Sequence, residues 1–235
     1  VTYRRAPDYW GAELPVNRGQ NNAEQVVYEY FRDENAAFEA FKAGLVDLRI
    51  EEDPGRWTLG YEFGAARRGE VKKTVIDNAL PSGMYAMVFN TRRPVFADPK
   101  VREALTLLFD FEWTNKSLYH GLYSRTQSFF DDSELSSHGR PASAGERALL
   151  APFPDAVRPE IMEGGWQAPT SEGSGRNRRN RAQAVELLRE AGYGVREGKV
   201  VELATGEPLR FEILVARPKN ERLALTYTRG LQKAG

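Results

Sequence analysis

The sequence predicts an α/β fold, and three observations carry that prediction. Short runs of β-branched, aromatic or aliphatic residues recur as strand candidates. Between them lie segments whose apolar residues fall at helical spacing, and Gly, Pro and Asn mark many of the joins. Residues 26–31 and the alternating Val46, Leu48 and Ile50 read as strands, separated by a short helix over 35–43 with Gly44 as its stop. Residues 57–66 look helical, and 71–76 reads as a further strand.

The next unit is the most informative. Tyr85–Phe89 is a short apolar run of the kind expected from a strand buried on both faces. Asn90-Thr91-Arg92-Arg93-Pro94 breaks it. Asp98 offers a side-chain oxygen to the first free N–H groups of a helix, with Pro99 at its first position. Val101, Ala104, Leu105 and Leu108 then follow at i, i+3, i+4 and i+7, so one face of that helix is core. The helical pattern resumes over 114–123. Residues 151–180 are rich in Pro and Gly, with Ile161, Met162 and Trp166 as their good core residues, and read as one long loop. Ala184, Leu187, Leu188 and Ala191 give a further stripe closed by Gly192. Residues 195–202 and 209–215 read as strands, the latter with Leu209, Phe211, Ile213 and Val215 on one face, and 221–234 as a closing helix through Leu223, Tyr227 and Leu231.

Composition bounds the function. Lys plus Arg and Asp plus Glu both total 33, so no global charge draws the chain to nucleic acid or anionic lipid. Without cysteine there is no disulfide, thiolate metal site or cysteine nucleophile. No run of 18 apolar residues exists. The sequence opens on Val1 with no basic-then-apolar segment, so any signal peptide is expected to have been removed or to lie outside these residues.

The segment from Tyr85 to Leu107, read as Phe-Asn-Thr, then Pro94, Phe96, Asp98, Val101-Arg102 and Ala104-Leu105, resembles the signature of extracellular solute-binding proteins of the peptide/nickel ABC importer class. Asp33, Ala40, Phe41, Gly44 and Asp47 match a second segment of that family. Gly173-Ser-Gly-Arg176, Asn180 and the Ala184–Tyr193 stretch match a third, and together they are similar to its Yej-type oligopeptide-binding subgroup. The resemblance implies a two-lobed periplasmic binding protein of type II, present here as the central part of a longer chain. Residues 1–80 would belong to the first lobe, 81–90 would cross between lobes, and 91–235 would belong to the second, with the long loop at 151–180. It implies a periplasmic protein that takes an oligopeptide or peptide-like ligand and passes it to an inner-membrane ABC permease. Another solute, such as a glycan or metal chelate, is an alternative, as is a permease-independent peptide-binding or chaperone-like module. Unpaired strand edges would favour self-association of the fragment.

No cofactor, metal site or catalytic constellation is expected. His120 and His138 are too few and too far apart for a metal, and no nucleotide or hydrolase motif occurs. Asp131-Asp132 and Glu51-Glu52-Asp53 read as solvated turns, and Arg176–Arg181 as a solvated helix start or an anion site. Ligand-binding candidates are Tyr85, Asn90, Arg125, Ser128, Phe129 and Phe130. Tyr85 is either a ligand contact or a buried strand aromatic, and Asn90 either a ligand contact or a turn residue bonding its own backbone. Arg125 could take a carboxylate bidentately, the two Phe could wall a side-chain pocket, and Trp113 is either core or ligand-facing.

Overall fold

The computed structural model describes residues 1–78 and 80–235. The chain divides into two compact units, Val1–Lys73 and Thr74–Gly235.

In the first unit, β1 (Thr2–Arg4) pairs antiparallel with β2 (Gln25–Val27), with Tyr3 opposite Val26. The strand expected over 26–31 therefore ends early, because only its first residues find a partner. Helix α1 (Glu34–Lys42) begins where Asp33 accepts hydrogen bonds from the N–H groups of Asn35 and Ala36, at 3.0 and 2.9 Å. Its Phe38 and Phe41 meet Tyr61 and Phe63 edge-on, forming a small aromatic core. Residues 46–50 and 71–76 form no strand: Leu48, Ile50, Val75 and Ile76 lie exposed, and no ladder reaches them from the described residues. The helical stretch expected over 57–66 is split into a π-turn, Arg56–Gly60, and the single turn α2 (Gly64–Arg67).

Beside that aromatic core, the Glu51 side chain is 2% exposed and is held by four groups. Arg49 Nε, Arg56 Nη1 and the Tyr61 hydroxyl lie at 3.2, 3.3 and 3.2 Å, and the Asp53 N–H donates at 3.0 Å. Burial alone would raise the Glu51 pKa. The Asp53 N–H and the two guanidinium groups outweigh it and hold the carboxyl below its usual range.

The second unit is organised by helices. Asp98 accepts the Lys100 N–H at 2.7 Å and starts α3 (Pro99–Leu107), with Pro99 at the first position as its sequence predicts. Helix α4 (Phe111–Leu118) begins three residues earlier than the periodicity places it, because Asp110 caps it by accepting the Trp113 N–H at 3.0 Å. A capping box of Ser143 and Glu146 starts α5 (Ala144–Leu150), which the sequence reading missed. Residues 151–180 are not structureless: α6 (Pro159–Met162) interrupts them, and the Met162 carbonyl accepts the Ala142 N–H at 2.8 Å.

Helix α7 (Arg178–Glu190) lays Ala184 and Leu188 against Val101, Ala104 and Leu105 of α3, and these five side chains are buried. The run read as one strand over 195–202 is a hairpin. Its strands are β3 (Tyr193–Arg196) and β4 (Lys199–Glu202), joined by Glu197 and Gly198, both at positive φ. Helix α8 (Glu221–Gln232) adds buried Ala224 and Tyr227 to the unit.

Two side chains finish the C-terminus of α3. The buried Tyr227 hydroxyl donates to the Leu105 carbonyl at 2.6 Å, and Asn177 Nδ2 donates to the Leu107 carbonyl at 2.9 Å. Helix ends leave such carbonyls without intrahelical partners, so these bonds tie the start of α7 and the middle of α8 to one helix terminus. The basic run 176–181 is thus partly structural, since Asn177 and Asn180 within it are buried.

The strands expected at Tyr85–Phe89 and Leu209–Val215 are extended segments without ladders. Their inner faces behave as predicted. Met87, Phe89, Leu209, Phe211 and Ile213 pack on the helical core, and the Phe96 ring stands 5.3 Å from both Phe89 and Phe211. Their outer faces do not: Val88 is 90% exposed and Leu214 96%. Backbone N–H and C=O groups of a strand need a neighbour, and among the described residues only the Leu209 N–H finds one nearby, the Val200 carbonyl at 2.8 Å.

Candidate functional site

The second unit contains a polar hollow of about 570 Å³, lined by Ser82, the 122–127 stretch, Asp131, Asp132, Ser136 and His138. Local rules explain how these residues meet. His120 and Gly121, both at positive φ, turn the chain out of α4. Asn115 of α4 then clamps the exit, donating Nδ2 to the Tyr123 carbonyl at 2.6 Å and accepting the Tyr123 N–H at 3.1 Å. The following stretch is held by Asp131, whose Oδ2 accepts the Gln127 N–H at 2.5 Å. Ser82 arrives from a distant part of the sequence: its N–H donates to the Asp131 carbonyl at 2.9 Å, and its hydroxyl bonds the Asp132 carboxylate.

The long loop comes to the same place. Gln127 Oε1 accepts the Ala168 N–H at 2.7 Å, and the Pro169 carbonyl accepts Arg125 Nη1 at 2.5 Å. Further on, Ser171 donates its N–H to Glu112 at 2.9 Å and its hydroxyl to Asp110. Gly175 presses its backbone against the Trp113 indole. Trp113 is therefore a packing residue for the loop.

Arg125 is the central cation of this arrangement. Its guanidinium carbon sits 5.9 Å from the ring centres of both Phe109 and Phe111. Burial draws its pKa down from the usual arginine range, and Glu112 offsets part of that. Beside the hollow, the Tyr119 and Tyr123 rings lie 4.8 Å apart. Burial, followed by Tyr123 and Tyr85, holds the Tyr119 hydroxyl above its ordinary pKa.

Of the residues expected to contact ligand, Arg125 lines the hollow and Tyr85 stands near its tyrosine pair, 72% exposed. Within residues 1–235 the Tyr85 ring is thus exposed. The Asn90 side chain accepts from Arg92 N and Nε at 3.3 and 3.2 Å, the turn geometry weighed against a ligand role. Ser128 Oγ accepts the Phe130 N–H at 3.2 Å. Phe129 and Phe130 are exposed, and neither they nor Ser128 lines the hollow. The sequence reading missed Ser82, Gln127 and Ser136, and placed Asp131, Asp132 and His138 in solvated turns or on the surface. Ser82 lies 50 residues from Asp132 in the chain, and no periodicity links such positions.

Among the described residues no group of His, Cys, Asp and Glu is arranged to hold a metal ion, and no helix is long and apolar enough to cross a membrane. A second hollow of about 270 Å³, between α7 and the β3–β4 hairpin, is lined mainly by apolar groups including Val185, Leu188 and Val200.

Comparison with known proteins places the chain in a family. A Brucella melitensis protein described as a binding protein is 48% identical over 235 residues, covering all of this chain and 38% of that protein. The probable peptide-binding protein YejA of Agrobacterium fabrum is 41% identical over 237 residues, again covering 38% of its length. The peptidoglycan-binding protein YepA of the same organism is 39% identical over 242 residues, covering 39% of it. The chain thus spans well under half the length of these relatives. Residues 1–235 match the description "Bacterial extracellular solute-binding proteins, family 5 Middle", and the chain belongs to that family.

Proposed function

We propose that this chain is the central part of a two-lobed receptor of the type II periplasmic binding protein class, which captures a peptide or peptide-like solute and delivers it to an inner-membrane ABC permease. The observation that carries the reading is the family match along the whole chain. A relative 41% identical and named as a probable peptide-binding protein supports the ligand class. In this reading residues 1–80 contribute to the first lobe, 81–90 form the crossing and 91–235 contribute to the second. The extended segments 85–89 and 209–215 then take their ladder partners from the parts of a longer protein outside residues 1–235. The chain by itself would instead self-associate through those edges.

The hollow suits such a ligand chemically. Carboxylates and hydroxyls at Ser82, Asp131, Asp132 and Ser136 can accept peptide N–H groups, and Arg125 can serve an oxygen. Tyr85 would add an amphipathic ring at the rim. Lobe closure on a loaded ligand would then select the shape that the permease reads. A second reading, the peptide stem of peptidoglycan, is favoured by the 39% identity to a peptidoglycan-binding relative.

Native mass spectrometry of the full-length protein as purified tests the proposal. Heterogeneous adducts that fragment as peptides are the expected result, and adducts carrying amino sugars or D-amino acids would favour the second reading. A single non-peptide adduct would overturn both.

A further inference from the structure

We infer that Arg125 is the receptor for a carboxylate of the bound ligand, so that this protein takes up peptides through an anionic group. The inference rests on the peptide reading above and names the chemistry of one end of that ligand.

Four features carry it. The guanidinium is mounted on two aromatic faces, Phe109 and Phe111, each 5.9 Å away. Its Nη1 is anchored to the Pro169 carbonyl at 2.5 Å, which fixes the rotation of the planar group. That bond leaves Nε and Nη2, one edge of the fork, without a hydrogen bond or ion pair to any described residue. Among the described residues, Arg125 is also the sole Lys or Arg on the lining of the hollow.

Among the described residues, two other arginines mounted on an aromatic ring give the contrast. Arg49 and Arg56 also lie against an aromatic ring, that of Phe38, but both are ion-paired with Glu51. Arg125 has a comparable mount and no carboxylate. The nearest acid in electrostatic effect, Glu112, spends Oε2 on the Ser171 N–H at 2.9 Å. A partly desolvated guanidinium with an open Nε/Nη2 edge matches the spacing of a carboxylate, which accepts two parallel N–H bonds there. Asp131 and Asp132 oppose an anion along the rest of the lining, which leaves Arg125 as the point where a carboxylate can be held. The carboxylate can be the peptide C-terminus or an acidic side chain.

The test uses the full-length protein and three pools of synthetic peptides, three to eight residues long, in competition native mass spectrometry. The first pool has free C-termini and no Asp or Glu, the second is the same set as C-terminal amides, and the third is the amide set with one Glu each. The first pool is expected to outcompete the second by about tenfold to a hundredfold, the range for a hydrogen-bonded charged group. Arg125→Met should abolish that preference, and Arg125→Lys should restore part of it. If the Glu-bearing amides match the free acids and both exceed the plain amides, either carboxylate serves; if the Glu-bearing amides alone bind tightly, the recognised carboxylate is a side chain. Equal binding of the first two pools without rescue by Glu overturns the inference and leaves the peptide reading standing. Binding of none overturns both. The wild-type comparison decides the matter even if a variant fails to fold.

Discussion

Helices α3 and α7 and the extended segments 85–89 and 209–215 belong to one unit and share its core, yet they were fulfilled to different degrees. Each helix satisfies its own backbone and asks its neighbours only for an apolar face and a few terminal bonds, which Asn177 and Tyr227 supply. The extended segments supply their apolar inner faces equally well, through Phe89 and Phe211 against Phe96. Their backbones need partners that no local pattern provides. A helix is a local promise, and a strand is a contract with another segment.

The sharpest way to break that comparison is a pair of truncations. Leu105, 2% exposed between α3 and its neighbours, should cost about 2–5 kcal/mol as Leu105→Ala, read from urea unfolding. Leu214→Ala, on the open outer face, should cost no more than about 0.5 kcal/mol in the same chain. Equal costs would mean that the outer face is covered after all. Gly164→Ala comes next, at about 1–3 kcal/mol. Its φ is +72°, and a Cβ there would stand 2.5 Å from the Arg140 carbonyl carbon, so the substitution tests whether the long loop is fixed to the 140–142 segment. A loss near zero would show it unfastened.

Tyr227→Phe sharpens the helical side of the comparison. It removes the donor to the Leu105 carbonyl and should cost about 1–2 kcal/mol by thermal or urea unfolding, with the ring packing against Phe109 kept. The smallest effect is pH-dependent and lies in the first unit. The Glu51 carboxyl is held below its usual range when folded, so it contributes stability above the unfolded carboxylate pKa, and that contribution is lost as pH falls through the lowered folded value. Glu51→Gln should flatten this acid-side loss in an unfolding series from pH 6 to pH 3. An unchanged slope would mean that other carboxylates dominate it.

The legible parts of the sequence were those with local causes. Asp98-Pro99 marked a helix start, the Val101–Leu108 stripe marked its buried face, and Phe211 and Ile213 showed which side of a segment faces the core. The turn at Glu197-Gly198 was missed because the Val195–Glu202 run reads as continuously strand-like despite two residues at positive φ. Of the residues that line the hollow, Arg125 alone was singled out in the sequence as a ligand candidate. Ser82, Asp131 and the 168–171 segment reach it through long-range hydrogen bonds, and nothing in their own neighbourhoods announces the meeting.

The central claim, that the hollow beside Arg125 receives the peptide, is tested most directly by hydrogen–deuterium exchange of the full-length protein with and without the free-acid peptide pool. The account predicts slowing at 122–138 and 166–173, the segments that line the hollow or anchor its cation. Slowing confined to other regions, such as the apolar hollow between α7 and the β3–β4 hairpin, with 122–138 unchanged, would contradict it.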